Sequence, residues 1–82
     1  MTGEGITFAT VAERFGWNLR IARRKAGLSQ RELAERMGRS QRRVAEWESG
    51  KLCPRINSVV LLAEALKIDP GVLLRETRGL AS

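Results

Sequence analysis

Histidine is absent from this sequence, and cysteine occurs once, at Cys53. Those two gaps exclude the side-chain sets that hold structural or catalytic zinc, and the cysteine–histidine pair of thiol hydrolases. No metal and no other cofactor is expected. A single thiol cannot close an internal disulfide, which suits a reducing compartment, so a cytoplasmic protein is expected. No apolar run reaches the ~18 residues of a membrane span. The N-terminus has no basic segment followed by an apolar one, so neither export nor a membrane partner is expected. A glycine-rich phosphate loop is missing. Proline occurs only at Pro54 and Pro70, and strand-like alternation of polar and apolar residues is lacking. The chain also lacks room and a plausible cluster of catalytic groups, so an enzyme is not expected.

What remains is a short basic chain. Its 82 residues make one domain, spanning 1–82. A chain of this size buries only about 60–65% of its unfolded surface, so its core must be efficient. Apolar residues supply 43% of the composition, enough for a compact helical core. The formal net charge is +6, and a small domain of that sign most often meets nucleic acid or an anionic surface.

The most informative stretch is SQRELAERMGRSQRRVAEWESG, residues 29–50. Ser29 and Glu32 form a capping-box pair at the start of a helix over Gln30 to Met37. Leu33 and Met37 repeat at i, i+4 with Ala34 beside them. Gly38 suits the left-handed end of that helix. Ser40 then caps a second helix, from about Gln41 to Ser49, and Gly50 stops it. In this helix Val44 and Trp47 face one way, while Gln41, Arg42 and Glu46 face the other. Two helices that cross steeply through a short turn need a small residue at the crossing, a flexible one in the turn and an apolar one beyond it. Ala34, Gly38 and Val44 meet those needs. This is helix-turn-helix spacing, in which the second helix lies in the DNA major groove.

With its flanks, this stretch resembles the Cro and lambdoid phage repressor helix-turn-helix family, also called the xenobiotic-response-element family. The likeness runs from about Leu19 to Leu74: LRIARRKAGLSQRELAERMG, then SQRRVAEWESGK, then a proline and LAEALKIDPGVLL. It implies an all-α, five-helix fold that binds double-stranded DNA. It further implies an ion pair between Arg23 and Glu48, partly buried beside a DNA phosphate, and a phosphate contact from Gln30. Gln41 and Arg42 stand at the end of helix 3 that reaches base edges, with Glu46 one turn on. Gln reads adenine, Arg reads guanine and Glu accepts from cytosine, so these three are the expected base readers. Arg23, Arg43, Lys51 and Arg55 are expected on phosphates, Arg55 at the start of helix 4. Arg39 to Arg55 carry five positive and two negative residues, a net of +3, half the charge of the chain. Ala45 is small enough to let helix 3 sit close to the groove wall, and Trp47 is expected to plug the core beneath it.

The remaining segments frame this unit. Residues 1–6 read as a mobile arm; Glu4 and the lack of Lys or Arg there argue against a DNA grip. Helix 1 should start near Thr7 and carry one apolar stripe through Phe8, Val11, Phe15, Leu19, Ala22 and Ala26, ending at Gly27. Gly16 and Asn18 should weaken its middle without breaking it. Trp17 and Ile21 lie off the stripe, as core edge or contact patch. AERFG at 12–16 echoes AERMG at 34–38, which is too short to be a repeat. Arg24 and Lys25 suit the C-terminal dipole of helix 1. Helix 4 should span about Ile56 to Lys67, with Ile56, Val59, Leu62, Ala63 and Leu66 in the core, joined by Ile68. Asp69 caps helix 5 with Pro70 in its first position, and Leu73 and Leu74 should face inward. Leu61 and Val72 stand where relatives often carry polar residues. This apolar surplus makes them dimer-interface candidates, so a homodimer is expected. Residues 76–82 should fray.

The expected function is sequence-specific binding of duplex DNA as a transcriptional regulator, a repressor in particular. Two alternatives remain at this point: an antitoxin-type protein that binds its promoter and a toxin, and a protein-binding adaptor built on the same fold.

Overall fold

Four side chains start helices by taking up main-chain N–H groups that a helix leaves unbonded. Thr10 Oγ1 accepts from Glu13, Ser29 Oγ from Glu32, Ser40 Oγ from Arg43 and Asp69 Oδ1 from Gly71. In the computed structural model, which describes Phe8 and residues 10–76, the chain forms α1 (Val11–Lys25), α2 (Gln30–Met37), α3 (Gln41–Ser49), α4 (Ile56–Leu66) and α5 (Pro70–Leu74). Among the described residues there is no strand. The Ser29–Glu32 capping box is complete, with Ser29 N donating to Glu32 Oε1 at 2.8 Å. The Ser29 main-chain and hydroxyl bonds hold the Glu32 carboxyl below the usual carboxylate range. Its help to the α2 start is therefore full above that range and is lost as pH falls through the lowered value.

The first four helices end alike. A main-chain N–H reaches back five residues: Leu28 to Arg23, Arg39 to Ala34, Lys51 to Glu46 and Ile68 to Ala63, at 2.9–3.2 Å. This is the Schellman arrangement, which needs a left-handed residue just before the returning N–H. Gly27, Gly38 and Gly50 supply it at φ 75°, 68° and 82°, and Lys67 does so without being glycine, at φ 59°. Leu28 and Ile68, just past two of these ends, pack against the core.

The core joins Phe15, Leu19 and Ala22 of α1, Leu33 and Ala34 of α2, Val44 and Trp47 of α3, Val59, Leu62, Ala63 and Leu66 of α4, and Leu73 of α5. α3 packs on α1 and α2, α4 on α2, and α5 on α1 and α4. Arg36 ties α2 to the end of α4 by donating from Nη1 to the Ala65 carbonyl at 3.2 Å.

Several sequence expectations need correction. α1 is capped at Thr10, three residues later than expected, and Val11 and Ala26 are exposed instead of continuing the buried stripe. Phe8 is half-buried, with its ring centroid 6.1 Å from that of Trp17. α4 ends at Leu66, with Lys67 as its left-handed cap. Ile56 and Leu74 are exposed, not core. Each corrected residue lies on the first turn of a helix or at its end, where no neighbouring element covers it.

Gly16 and Asn18 are not weak points. A Cβ on Gly16 would lie 2.5 Å from both the Trp47 and the Glu48 carbonyl oxygens, so the missing side chain sets how closely α1 and α3 approach. AERFG thus differs from AERMG in structure: its glycine lies inside α1, against the main chain of α3. Asn18 Nδ2 donates to the Leu73 and Arg75 carbonyls at 3.0 and 2.8 Å. α5 ends on Arg75 in extended backbone rather than on a left-handed residue, and Asn18 satisfies the Leu73 carbonyl, which a Schellman turn would otherwise engage, and the Arg75 carbonyl after it. The arm at 1–6, the proposed start at Thr7 and the tail beyond Glu76 lie outside the described residues.

Candidate nucleic-acid interface

α3 is held from beneath and open above. Val44 and Trp47 anchor its lower side, at 0% and 2% exposure, while Gln41, Arg42 and Arg43 are exposed on its N-terminal turn. Ala34 of α2 is buried in the core at 2% exposure, and Gly38 makes the turn between α2 and α3. Ala45 is half-buried and offers no bulk.

A buried carboxylate ties this helix to α1 and α2. Glu48 and Arg23 are both buried. Arg23 Nε donates to Glu48 Oε2 at 2.5 Å and Nη2 to Oε1 at 3.1 Å. The third guanidinium nitrogen, Nη1, donates to the Leu28 carbonyl at 2.8 Å. This planar, two-bonded pairing is one that lysine could not reproduce. Gln30 Nε2 donates to Glu48 Oε1 at 3.0 Å, and Arg20 Nε lies 3.6 Å from the same oxygen. One side chain of α3 therefore gathers two from α1 and one from α2. The ion pair is more deeply buried than the sequence suggested. Sequence reading did not place Arg20 in this cluster. Its spacing three residues before Arg23, one helical turn, was the available signal.

The structure distributes the remaining expected site residues unevenly. Gln30 sits at the N-terminus of α2 with its amide turned to Glu48. Lys51 and Arg55 are exposed on the loop after α3, and Arg55 is the N-cap position of α4 without a side-chain capping bond. Cys53 lies exposed between them. Glu46 differs from its neighbours: it is half-buried, with Arg42 Nε at 3.4 Å and Arg43 Nε at 3.8 Å. Leu61 is exposed and Val72 half-buried on α4 and α5. Among the described residues, no group of His, Cys, Asp and Glu could hold a metal ion, and no helix is long and apolar enough to cross a membrane.

A helix-turn-helix family model matches residues 19–73, from the buried Leu19 to the buried Leu73. The chain belongs to the Cro/C1-type helix-turn-helix family. Solved structures agree. The restriction-modification controller protein C.AhdI from Aeromonas hydrophila is 35% identical, with a TM-score of 0.73, over 76% of this chain and 94% of its own. The clp gene regulator ClgR from Corynebacterium glutamicum is 27% identical, with a TM-score of 0.78, over 82% and 87%. The P22 c2 repressor, solved in complex with a synthetic operator, is 28% identical, with a TM-score of 0.68, over 74% and 92%. No curated protein sequence matches the chain. In this helix-turn-helix, α2 and α3 are the paired helices, and the Arg23–Glu48 cluster lies where α3 meets α1, with Gln30 of α2 joining it.

Proposed function

We propose that this protein is a DNA-binding transcription regulator that acts as a repressor by occluding a promoter. The carrying observation is the two-sidedness of α3: its inner side is locked by Val44, Trp47 and Glu48, while Gln41, Arg42 and Arg43 stand on its open N-terminal turn. That is the end of a recognition helix that reaches base edges. Family membership and regulator relatives, one solved on an operator, support the same reading.

Gln41 and Arg42 read bases in the major groove. Arg43, Lys51, Arg55 and the α2 N-terminus at Gln30 grip phosphates on either side. Gln30 spends one amide N–H on Glu48, and its second N–H and main chain serve the phosphate. Arg23 acts mainly by holding Glu48, since all three of its donor nitrogens already have partners.

Selection from random duplex DNA tests the reading: one short motif should be enriched, and no enrichment would sink it. Binding should weaken steeply with salt. Arg42→Ala should cost about 1–3 kcal/mol of discrimination at one base pair. Lys51→Ala should weaken selected and random DNA alike. Equal losses on both DNAs for both variants would defeat this division of labour.

The active form is a homodimer built on the outward side of α4 and α5. Val60, Leu61 and Leu74 are exposed apolar side chains there, with Val72 beside them. Two copies would place two recognition helices about one turn of DNA apart, roughly 34 Å. Sedimentation should give a dimer at micromolar protein, and Leu61→Glu should shift it to monomer. A wild-type monomer under those conditions removes the dimer.

A further inference from the structure

Glu46 is the acidic residue nearest the reading end of α3, and its geometry is not that of a base reader. Its carboxylate oxygens serve different cations: Oε2 lies 3.4 Å from Arg42 Nε, and Oε1 lies 3.8 Å from Arg43 Nε. Its side chain is 25% exposed, against 88% for Arg42 and 52% for Arg43. The carboxylate thus lies at the base of a pair of arginines that stand above it. Its main chain is also tethered, because the Glu46 carbonyl accepts from Lys51 N at 3.1 Å and Leu52 N at 3.3 Å.

The atoms used matter. A guanidinium engages guanine O6 and N7, or a phosphate, as a planar fork of donors. The atom of each arginine nearest Glu46 is Nε, at ion-pair rather than hydrogen-bond distance, so the carboxylate does not occupy the donor fork that the nucleic acid would take. Without the carboxylate, two adjacent like charges would repel, and each long side chain would sample many rotamers before binding. To accept from cytosine, Glu46 would have to abandon both cations and emerge from its partly buried place.

We propose that Glu46 is a positioning residue: it holds Arg42 and Arg43 apart and aimed, so that sequence preference at the Arg42 base pair depends on a carboxylate that touches no base. The proposal rests on the DNA-reading function of α3. It adds a second consequence. The negative charge at the interface restrains binding to arbitrary DNA, so discrimination is raised from both sides.

The test compares wild type, Glu46→Gln and Glu46→Asp in one selection from random duplex DNA. Affinities for the selected site and for a random duplex are then measured across a salt series. Glu46→Gln keeps the shape and loses the charge. It should bind random duplex several-fold more tightly, and its specific-to-random ratio should fall about tenfold, within the range of one bidentate contact. Its preference at the Arg42 pair should blur. Glu46→Asp keeps the charge but is too short to reach both arginines. It should lose the ratio without gaining random-duplex affinity. The proposal is overturned if Glu46→Gln loses preference only at a separate cytosine-bearing pair while the Arg42 preference stands, since Glu46 then reads a base directly. It is equally overturned if the ratio is unchanged, since only bulk charge then matters. A wild type that enriches no motif would instead remove the DNA-reading function itself.

Discussion

Arg23→Ala is expected to lower unfolding free energy by about 3 kcal/mol, the lower end of the 3–5 kcal/mol typical of a broken buried pair. The loss comes from what is left behind. Glu48 is 5% exposed, and its charge would keep only the Gln30 amide at 3.0 Å and the half-exposed Arg20 at 3.6 Å. Arg20 moderates the cost, which places the estimate at the lower end. The Leu28 carbonyl also loses its partner. Arg23→Lys should recover only part of the loss, because an ammonium cannot make the parallel bonds that the guanidinium makes. Replacing both partners, Arg23→Met with Glu48→Leu, should be far milder than either single change, since no charge is then stranded in the core. Urea melts of wild type, Arg23→Ala, Arg23→Lys, the double variant and its two single changes decide this, and a melt of Arg23→Ala that overlays wild type would refute it. DNA binding should suffer even in the well-folded double variant, because the tie among α1, α2 and α3 is gone.

Gly16→Ala sets two effects of opposite sign against each other. In an exposed helix the change would stabilise by about 1 kcal/mol through lower chain entropy. Here the added methyl would lie 2.5 Å from the Trp47 and Glu48 carbonyl oxygens. Both are main-chain atoms of α3 and cannot swing aside. Overpacking of this kind costs about 3 kcal/mol when the neighbours are rigid. The net expectation is a loss of about 2 kcal/mol. It should be accompanied by weaker DNA binding as α3 is pushed off α1 and Glu48 is drawn from Arg23. A Gly16→Ala protein as stable as wild type in urea, or more so, would show that the two helices have room to spare.

Much of this protein is written locally. The bounds of α2 and α3 follow from Ser29, Glu32, Gly38, Ser40 and Gly50, because capping and left-handed turns are decided within a few residues. Val44 and Trp47 are buried and Gln41 and Arg42 exposed by helical periodicity alone. Other features depend on residues distant in the chain. Gly16 reads as a flaw until α3 is laid across it. Asn18 reads as a poor helix former until the end of α5 arrives 55 residues later to take its hydrogen bonds. Glu46 has the composition of a base reader, and only its depth beside Arg42 and Arg43 separates a group that touches DNA from one that aims its neighbours. Val11, Ile56 and Leu74 have the apolar character of core residues, yet tertiary packing leaves them in solvent. The amino-acid order alone determines where helices begin and end and which side of each is apolar, because those are short-range matters of hydrogen bonding and rotation per residue. The approach of one helix to another is decided by long-range packing, and with it which polar side chains are brought together and which apolar ones remain uncovered.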